Sequence, residues 1–226
     1  MAKLSVSWWH GLFVIATIAS ASVLTLISLR DFRREAQPPE NRPIKSQVGG
    51  YVTSNSCRAC HIENYASWHA SFHRTMTQVA TPDTLPAAMG ALELAFNGRE
   101  YKAERRGDRF FVRMRSKGGS YGDPQQVVLV TGSHTLQILW LETGHGRTLQ
   151  QFPFAYIVAE KMWAPVSETF LIPPDLKEYY SLGAWNGACM DCHVTQGQSR
   201  FVEGNKWDSQ VAEFGIACEA DRKSVV

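Results

Sequence analysis

The sequence predicts an α+β chain: an N-terminal transmembrane helix, then helical and irregular segments that flank an antiparallel β-meander. Three observations predict it. Residues from Trp8 to Leu29 carry no charged side chain. Between Leu92 and Pro165 the apolar pattern takes a period of two, the signature of half-buried strands. One pentapeptide pattern, Cys-x-x-Cys-His, stands on both sides of that β segment, at Cys57–His61 and at Cys189–His193.

The apolar run is preceded by Lys3 and followed by Arg30, Arg33 and Arg34. Roughly 20 apolar residues suffice to cross a bilayer as a helix, and Trp8 and Trp9 suit a membrane–water interface. A cleavable signal peptide is the rival reading, because Ala19-Ser20-Ala21 has the small residues of a cleavage site. Val23-Leu24-Thr25-Leu26-Ile27 extends the run past that point, so residues 1–29 are expected to stay as an uncleaved anchor. Residues 30–50 read as a linker. Pro38, Pro39, Pro43 and Gly49-Gly50 break regular structure there, and the charges mark solvated chain.

The two pentapeptides carry the chemistry. Cysteines three positions apart project from one helical turn, close enough to form thioethers to both vinyl groups of one porphyrin, and Cys-x-x-Cys-His is the haem c attachment pattern. The histidine that follows is a recognised axial ligand of haem iron. Four of the five cysteines fall into the two copies. A structural zinc site would want its Cys-x-x-Cys halves about 15–20 residues apart, whereas these lie roughly 130 apart. A thioredoxin-like pair expects a βαβ setting that neither copy has. Disulfides remain open in an oxidising compartment but give the histidines no reason. The residues favour at least two covalent haems, held by Cys57, Cys60, Cys189 and Cys192, with His61 and His193 as proximal iron ligands.

Haem also bears on orientation. The basic residues after the apolar run would alone place the C-terminal side in the cytoplasm. Covalent haem attachment takes place on the outer side of the bacterial cytoplasmic membrane. The expected location is therefore single-pass in that membrane, with the haem domain in the periplasm.

From Cys57 to Ala80 a helix is expected, since Tyr65, Trp68, Phe72, Met76 and Val79 recur at three- and four-residue intervals. His69 and His73 would share a neighbouring face of it, either as solvent-facing residues or with one of them as the sixth ligand of an iron. Glu100–Arg106 and Arg109–Arg115 alternate around Gly107-Asp108, a hairpin signal. Val127–Val130, Thr135–Leu141 and Thr148–Phe152 read as further strands. His134 opens a strand and is balanced between surface and ligand, whereas His145 lies in a turn and reads as a surface residue. A short helix is expected from Trp207 to Phe214.

Taken in order, these motifs resemble a known family. They are Ser56-Cys57-x-x-Cys60-His61, Tyr65-Ala66-Ser67-Trp68 with Ser71-x-His73, the glycine-rich β segment, Asn186-Gly187-Ala188-Cys189-Met190-Asp191-Cys192-His193, and Gly215-Ile216-Ala217-Cys218-Glu219-Ala220. The set resembles bacterial membrane-anchored multihaem c-type cytochromes, some of which continue into tetratricopeptide repeats. It covers roughly residues 51–220. Irons in that family generally have two histidine ligands. Its Ser-x-His position matches His73 and its Thr-Gly-Ser-His position matches His134, which implies both as candidate distal iron ligands. His69 matches no named role.

One departure stands out. In the family, Gly-x-x-Cys-Glu-x leads into Cys-His-Gly-Pro, a third attachment site. Here Cys218-Glu219-Ala220 leads into Asp221-Arg222-Lys223-Ser224-Val225-Val226. A common sequencing-library adapter, read in frame, encodes that hexapeptide and a stop. Residues 221–226 are therefore expected to be a non-native tail, the chain an N-terminal fragment, and Cys218 half of a third site.

The expected organisation is an anchor at 1–29, a linker at 30–50 and a multihaem cytochrome domain at 51–220. Within that domain the first haem site occupies 51–90, the β-meander 91–165 and the second site 166–220. A net charge of +2, with no basic cluster among stacking aromatics, argues against nucleic acid. The expected function is electron transfer between redox partner proteins or quinol-linked respiratory components at the membrane. An electron carrier is favoured over an enzyme, because an iron with two histidines has no open coordination position. The alternatives are the N-terminal part of a multihaem oxidoreductase acting on a small nitrogen or sulfur compound, and a non-haem periplasmic binding module.

Overall fold

The computed structural model describes residues 41–47, 49–171, 184–204 and 206–222, together with residues 15–18, 20, 22 and 25. The chain divides into two compact units, Met1–Pro39 and Glu40–Val226.

In the first unit the described residues are helical. The Ser20 and Ser22 hydroxyls donate to the Ala16 and Ile18 carbonyls, each at 2.9 Å, the usual way a serine within a helix is satisfied. Among the described residues no helix is long and apolar enough to cross a membrane. This corrects the expected single-pass anchor and, with it, the placement in the bacterial cytoplasmic membrane with a periplasmic domain. Spanning needs about 20 predominantly apolar residues in one helix, and the described helical positions of this unit are residues 15–18, 20, 22 and 25. The remainder of the run from Trp8 to Leu29, and the linker from Arg30 to Glu40, lie outside the described residues.

The second unit is β-rich, which corrects the α+β class and the plain meander: its sheet curls into a barrel-like shape. The chain enters through β1 (Ile44–Lys45), then α1 (Ser54–Cys57) and α2 (Ile62–His69). Eight strands follow: β2 (Thr77–Val79), β3 (Glu93–Phe96), β4 (Arg99–Arg106), β5 (Arg109–Ser116), β6 (Gln125–Thr131), β7 (Leu136–Glu142), β8 (Leu149–Ile157) and β9 (Met162–Pro165). From β3 to β9 they pair antiparallel in sequence order, and β2 pairs with the second half of β6. A short helix, α3 (Val166–Thr169), closes this part. Then come α4 (Met190–His193), β10 (Val194–Thr195), β11 (Phe201–Val202), β12 (Lys206–Trp207), β13 (Gln210–Val211), β14 (Glu213–Phe214) and α5 (Cys218–Arg222).

The curl is read from side chains. Phe96 on β3 meets Phe154 on β8 with ring centroids 5.9 Å apart, and Tyr101 on β4 meets Phe152 and Phe154 at 5.8 and 5.4 Å. Strands far apart in the sheet order therefore share one interior. Register shifts between Val127 and Leu129 on β6, and between Ile138 and Trp140 on β7, add local bend and twist. β6, β7 and β8 are buried on both faces. Val127, Val130, Leu139, Leu141 and Phe152 point into the barrel. Val128, Leu129, Trp140 and Leu149 point outward into a second core with Trp185, Met190, Val194 and Val211. Burial on two sides explains why these strands read as nearly continuous apolar runs rather than alternating ones.

The helix expected from Cys57 to Ala80 is shorter. It ends at His69, and β2 follows, because Thr77 and Val79 pair with Thr131 and Leu129 on β6. Trp68 is buried, but Phe72, expected on the same apolar stripe, is exposed. The helix expected from Trp207 to Phe214 is replaced by β12, β13 and β14. Here Gln210 and Val211 are held extended by parallel pairing with Ile44 and Lys45. The end of the expected linker is thus a strand.

Candidate functional site

Both Cys-x-x-Cys-His runs are closed by the same backbone bond, the first at the end of α1 and the second within α4. The His61 amide donates to the Cys57 carbonyl at 2.9 Å, and the His193 amide donates to the Cys189 carbonyl at 3.0 Å. Each run is one closed helical turn. On such a turn positions i, i+3 and i+4 share a face, so Cys57, Cys60 and His61 lie together, as do Cys189, Cys192 and His193. Met190, fully buried in the second core, anchors the second turn.

The two turns differ in setting. Cys60, His61 and Cys192 are exposed, while Cys57, Cys189 and His193 are half-buried. No disulfide joins Cys57 to Cys60 or Cys189 to Cys192. Burial, and then the neighbouring Cys192, push the Cys189 thiol up from its ordinary value. Burial also pushes the His193 imidazole down, with the Met76 backbone acting in the opposite direction. That favours the neutral ring, the form that binds metal. His193 Nδ1 is buried and has no well-formed hydrogen bond among the described residues.

A spine of residues 213–218 joins the turns. β14 pairs with β10 directly after His193, with Glu213 opposite Thr195. Glu213 is buried, and its carboxylate accepts the Ser54 amide at 2.8 Å and the Ser54 hydroxyl at 2.5 Å. It therefore holds the first residue of α1, the helix that delivers Cys57. Lys45 Nζ lies 3.5 Å away. Further along the spine, the Trp68 indole donates to the Ile216 carbonyl at 2.7 Å, and the Ile216 amide donates to the His73 carbonyl at 2.9 Å. The Thr195 hydroxyl donates to the Gly215 carbonyl at 3.1 Å, and the Cys218 amide donates to Ser54 Oγ at 3.0 Å. Replacing Glu213 by Gln is expected to lower stability by about 2 kcal/mol, because buried donors lose a charged acceptor. Urea unfolding checks this; an unchanged midpoint would remove the spine's role in positioning α1.

The structure also packs the segments that carry His73 and His134 against each other. The His134 ring lies tilted against Phe72, the residue before His73, with ring centroids 3.4 Å apart, and Thr75 Oγ1 lies 2.6 Å from Ser133 Oγ. His73 Nδ1 is 2.9 Å from Asp221 Oδ1, leaving Nε2 as the nitrogen for any other partner. Both His73 and His134 are exposed. His69 instead stacks on Tyr65, with ring centroids 5.6 Å apart, and His145 is exposed in its turn. Among the described residues no group of three or more His, Cys, Asp or Glu is placed to hold a metal ion, so the two turns do not pool their thiols into a zinc-type cluster.

These residues fit haem c. Each turn places two thiols and an imidazole at i, i+3 and i+4, and because His193 Nδ1 is covered by protein, Nε2 is the ring nitrogen left to take an iron. Near the first turn Val52, Ile62 and Phe72 expose apolar surface, the kind a porphyrin would cover. Sequence reasoning missed Glu213 and Ser54. The only hint was the Gly215–Ala220 stretch, which drew attention through its resemblance and not through any structural pattern. Comparison with protein-family models, with curated proteins and with solved structures finds no match.

Proposed function

We propose that this chain is a multihaem c-type cytochrome that carries at least two covalent haems and transfers electrons to and from redox partner proteins. The observation that carries this reading is the backbone bond from histidine to first cysteine that closes both Cys-x-x-Cys-His runs into turns, a spacing that sets two thiols and an imidazole on one side. Haem attached at such a turn supplies an iron that takes up and returns one electron. Cys57 and Cys60, and Cys189 and Cys192, act as tethers that hold the group where little apolar wall surrounds it. His61 and His193 would serve as the proximal ligands. His73 and His134, at one edge beside Phe72, are the candidate distal ligands that would leave an iron no open position for substrate.

Haem-stained denaturing gels and visible spectra test the proposal. A stained band with low-spin spectra, unmoved by cyanide or nitric oxide, is the expected result, and an unstained chain contradicts it. Changing His73→Ala or His134→Ala is expected to turn one iron high-spin and cyanide-binding. Unaltered spectra in both variants would return these histidines to an ordinary surface role.

A further inference from the structure

We propose that the open end of the curled sheet is a binding site for a compact apolar molecule bearing one carboxylate, of the short fatty-acid or aromatic-acid kind. Successive side chains on a strand point to opposite faces. Tyr101 and Ala103 on β4 point into the barrel, so Arg99 shares that inner face. Gln125 lies across from Val112, and Gln150 across from Leu141, both of which belong to the barrel core. Three polar residues thus occupy inward positions at one end of an otherwise apolar interior. The end of β4 beyond Ala103 is plugged instead: Leu85, Met89 and Leu92 are buried there, and the Ala103 amide bonds the Leu92 carbonyl at 2.8 Å. At the Arg99 end a cavity of about 400 Å³ remains, floored by Tyr101, Val112 and Leu141. Ligand sites span about 300–1,000 Å³, so this volume suits a small molecule.

Arg99 sets the ligand's charge. On the outer face of β4 and β5, Lys102 meets Glu93, Arg106 and Arg113 meet Glu104, and Arg115 meets Glu100. Among the described residues no carboxylate lies within ion-pair distance of Arg99, whose Nη1 lies 4.0 Å from Met114 Sδ. The cavity wall mixes apolar Phe96, Val112, Met114 and Leu141 with polar amides, and a guanidinium at its rim favours a carboxylate, which it can bind through two parallel hydrogen bonds. The amides of Gln125 and Gln150 add polar contacts at the same rim. Burial pushes the Tyr101 phenol up, with Arg99 pulling it down, so the floor keeps a neutral hydroxyl near the charge.

The test is a titration of the full chain with octanoate against octan-1-ol, and with benzoate against benzyl alcohol, followed by amide NMR and calorimetry. At least one acid is expected to bind tenfold or more tightly than its alcohol, with shifts centred on Tyr101, Met114 and Leu141. Which acid binds more tightly identifies the tail as aliphatic or aromatic. Arg99 is exposed, so Arg99→Gln leaves the core intact; it is expected to erase the preference for acid. Equal binding of acids and alcohols, shifts confined elsewhere, or an undiminished preference in Arg99→Gln would overturn the proposal.

Discussion

Replacing both cysteines of one turn, Cys57→Ala with Cys60→Ala, is expected to remove one haem and leave the other attached. The Cys189→Ala, Cys192→Ala pair is expected to do the converse. The reason is local. Each turn closes on itself through a bond from the histidine amide to the carbonyl of its own first cysteine, and neither borrows a thiol from the other. At the first turn Cys60 and His61 are both exposed, so an untethered porphyrin there has no half-buried ligand to hold it. The single variant Cys60→Ala is therefore expected to lose more of its haem than Cys192→Ala, whose turn keeps the half-buried His193. Quantifying haem per chain in denatured protein checks the series. Two haems per chain in either double variant would show that these cysteines are not the tethers.

A large loss of stability is expected from Gly215→Ala. Gly215 has φ +73, a conformation that costs a side-chain-bearing residue of order 1–3 kcal/mol. A Cβ there would also lie 2.3 Å from the Arg74 carbonyl oxygen and 2.9 Å from that of His73. Backbone cannot swing aside as a side-chain tip can, so relief means moving residues 73–74 and losing the bond from Ile216 to His73. The combined cost is expected to be about 3–4 kcal/mol. Gly204→Ala is the control, because Gly204 has a similar φ of +76 with nothing within 4 Å of a built Cβ. It should cost only about 1 kcal/mol. Thermal unfolding of the two variants separates conformational strain from close approach. Equal losses would show that the spine does not bear on the His73 segment.

Some of this structure was legible in the sequence for plain reasons. β4 and β5 form where alternation around Gly107-Asp108 places them, because each has one face in the barrel and one in solvent. The two pentapeptides fold as turns, as their spacing expects. Elsewhere tertiary contacts outweighed local pattern. The stripe Tyr65, Trp68, Phe72, Met76, Val79 has a helical period, yet Thr77 and Val79 gain more by completing an edge of β6. A period of two shows which residues alternate but not how far a sheet curls. The curl depends on aromatic pairs such as Phe96–Phe154, which lie far apart in the chain. Glu213 was illegible because its role arises only once Ser54, far away in sequence, is packed beneath it.

The most direct test of haem attachment is the intact mass of the full chain, made in a host that performs haem c maturation and measured after denaturation. The expected spectrum shows the chain plus two covalently bound haems, with one lost in each double-cysteine variant. A mass equal to the bare polypeptide, from cells that load a known c-type cytochrome in parallel, would contradict the proposed function.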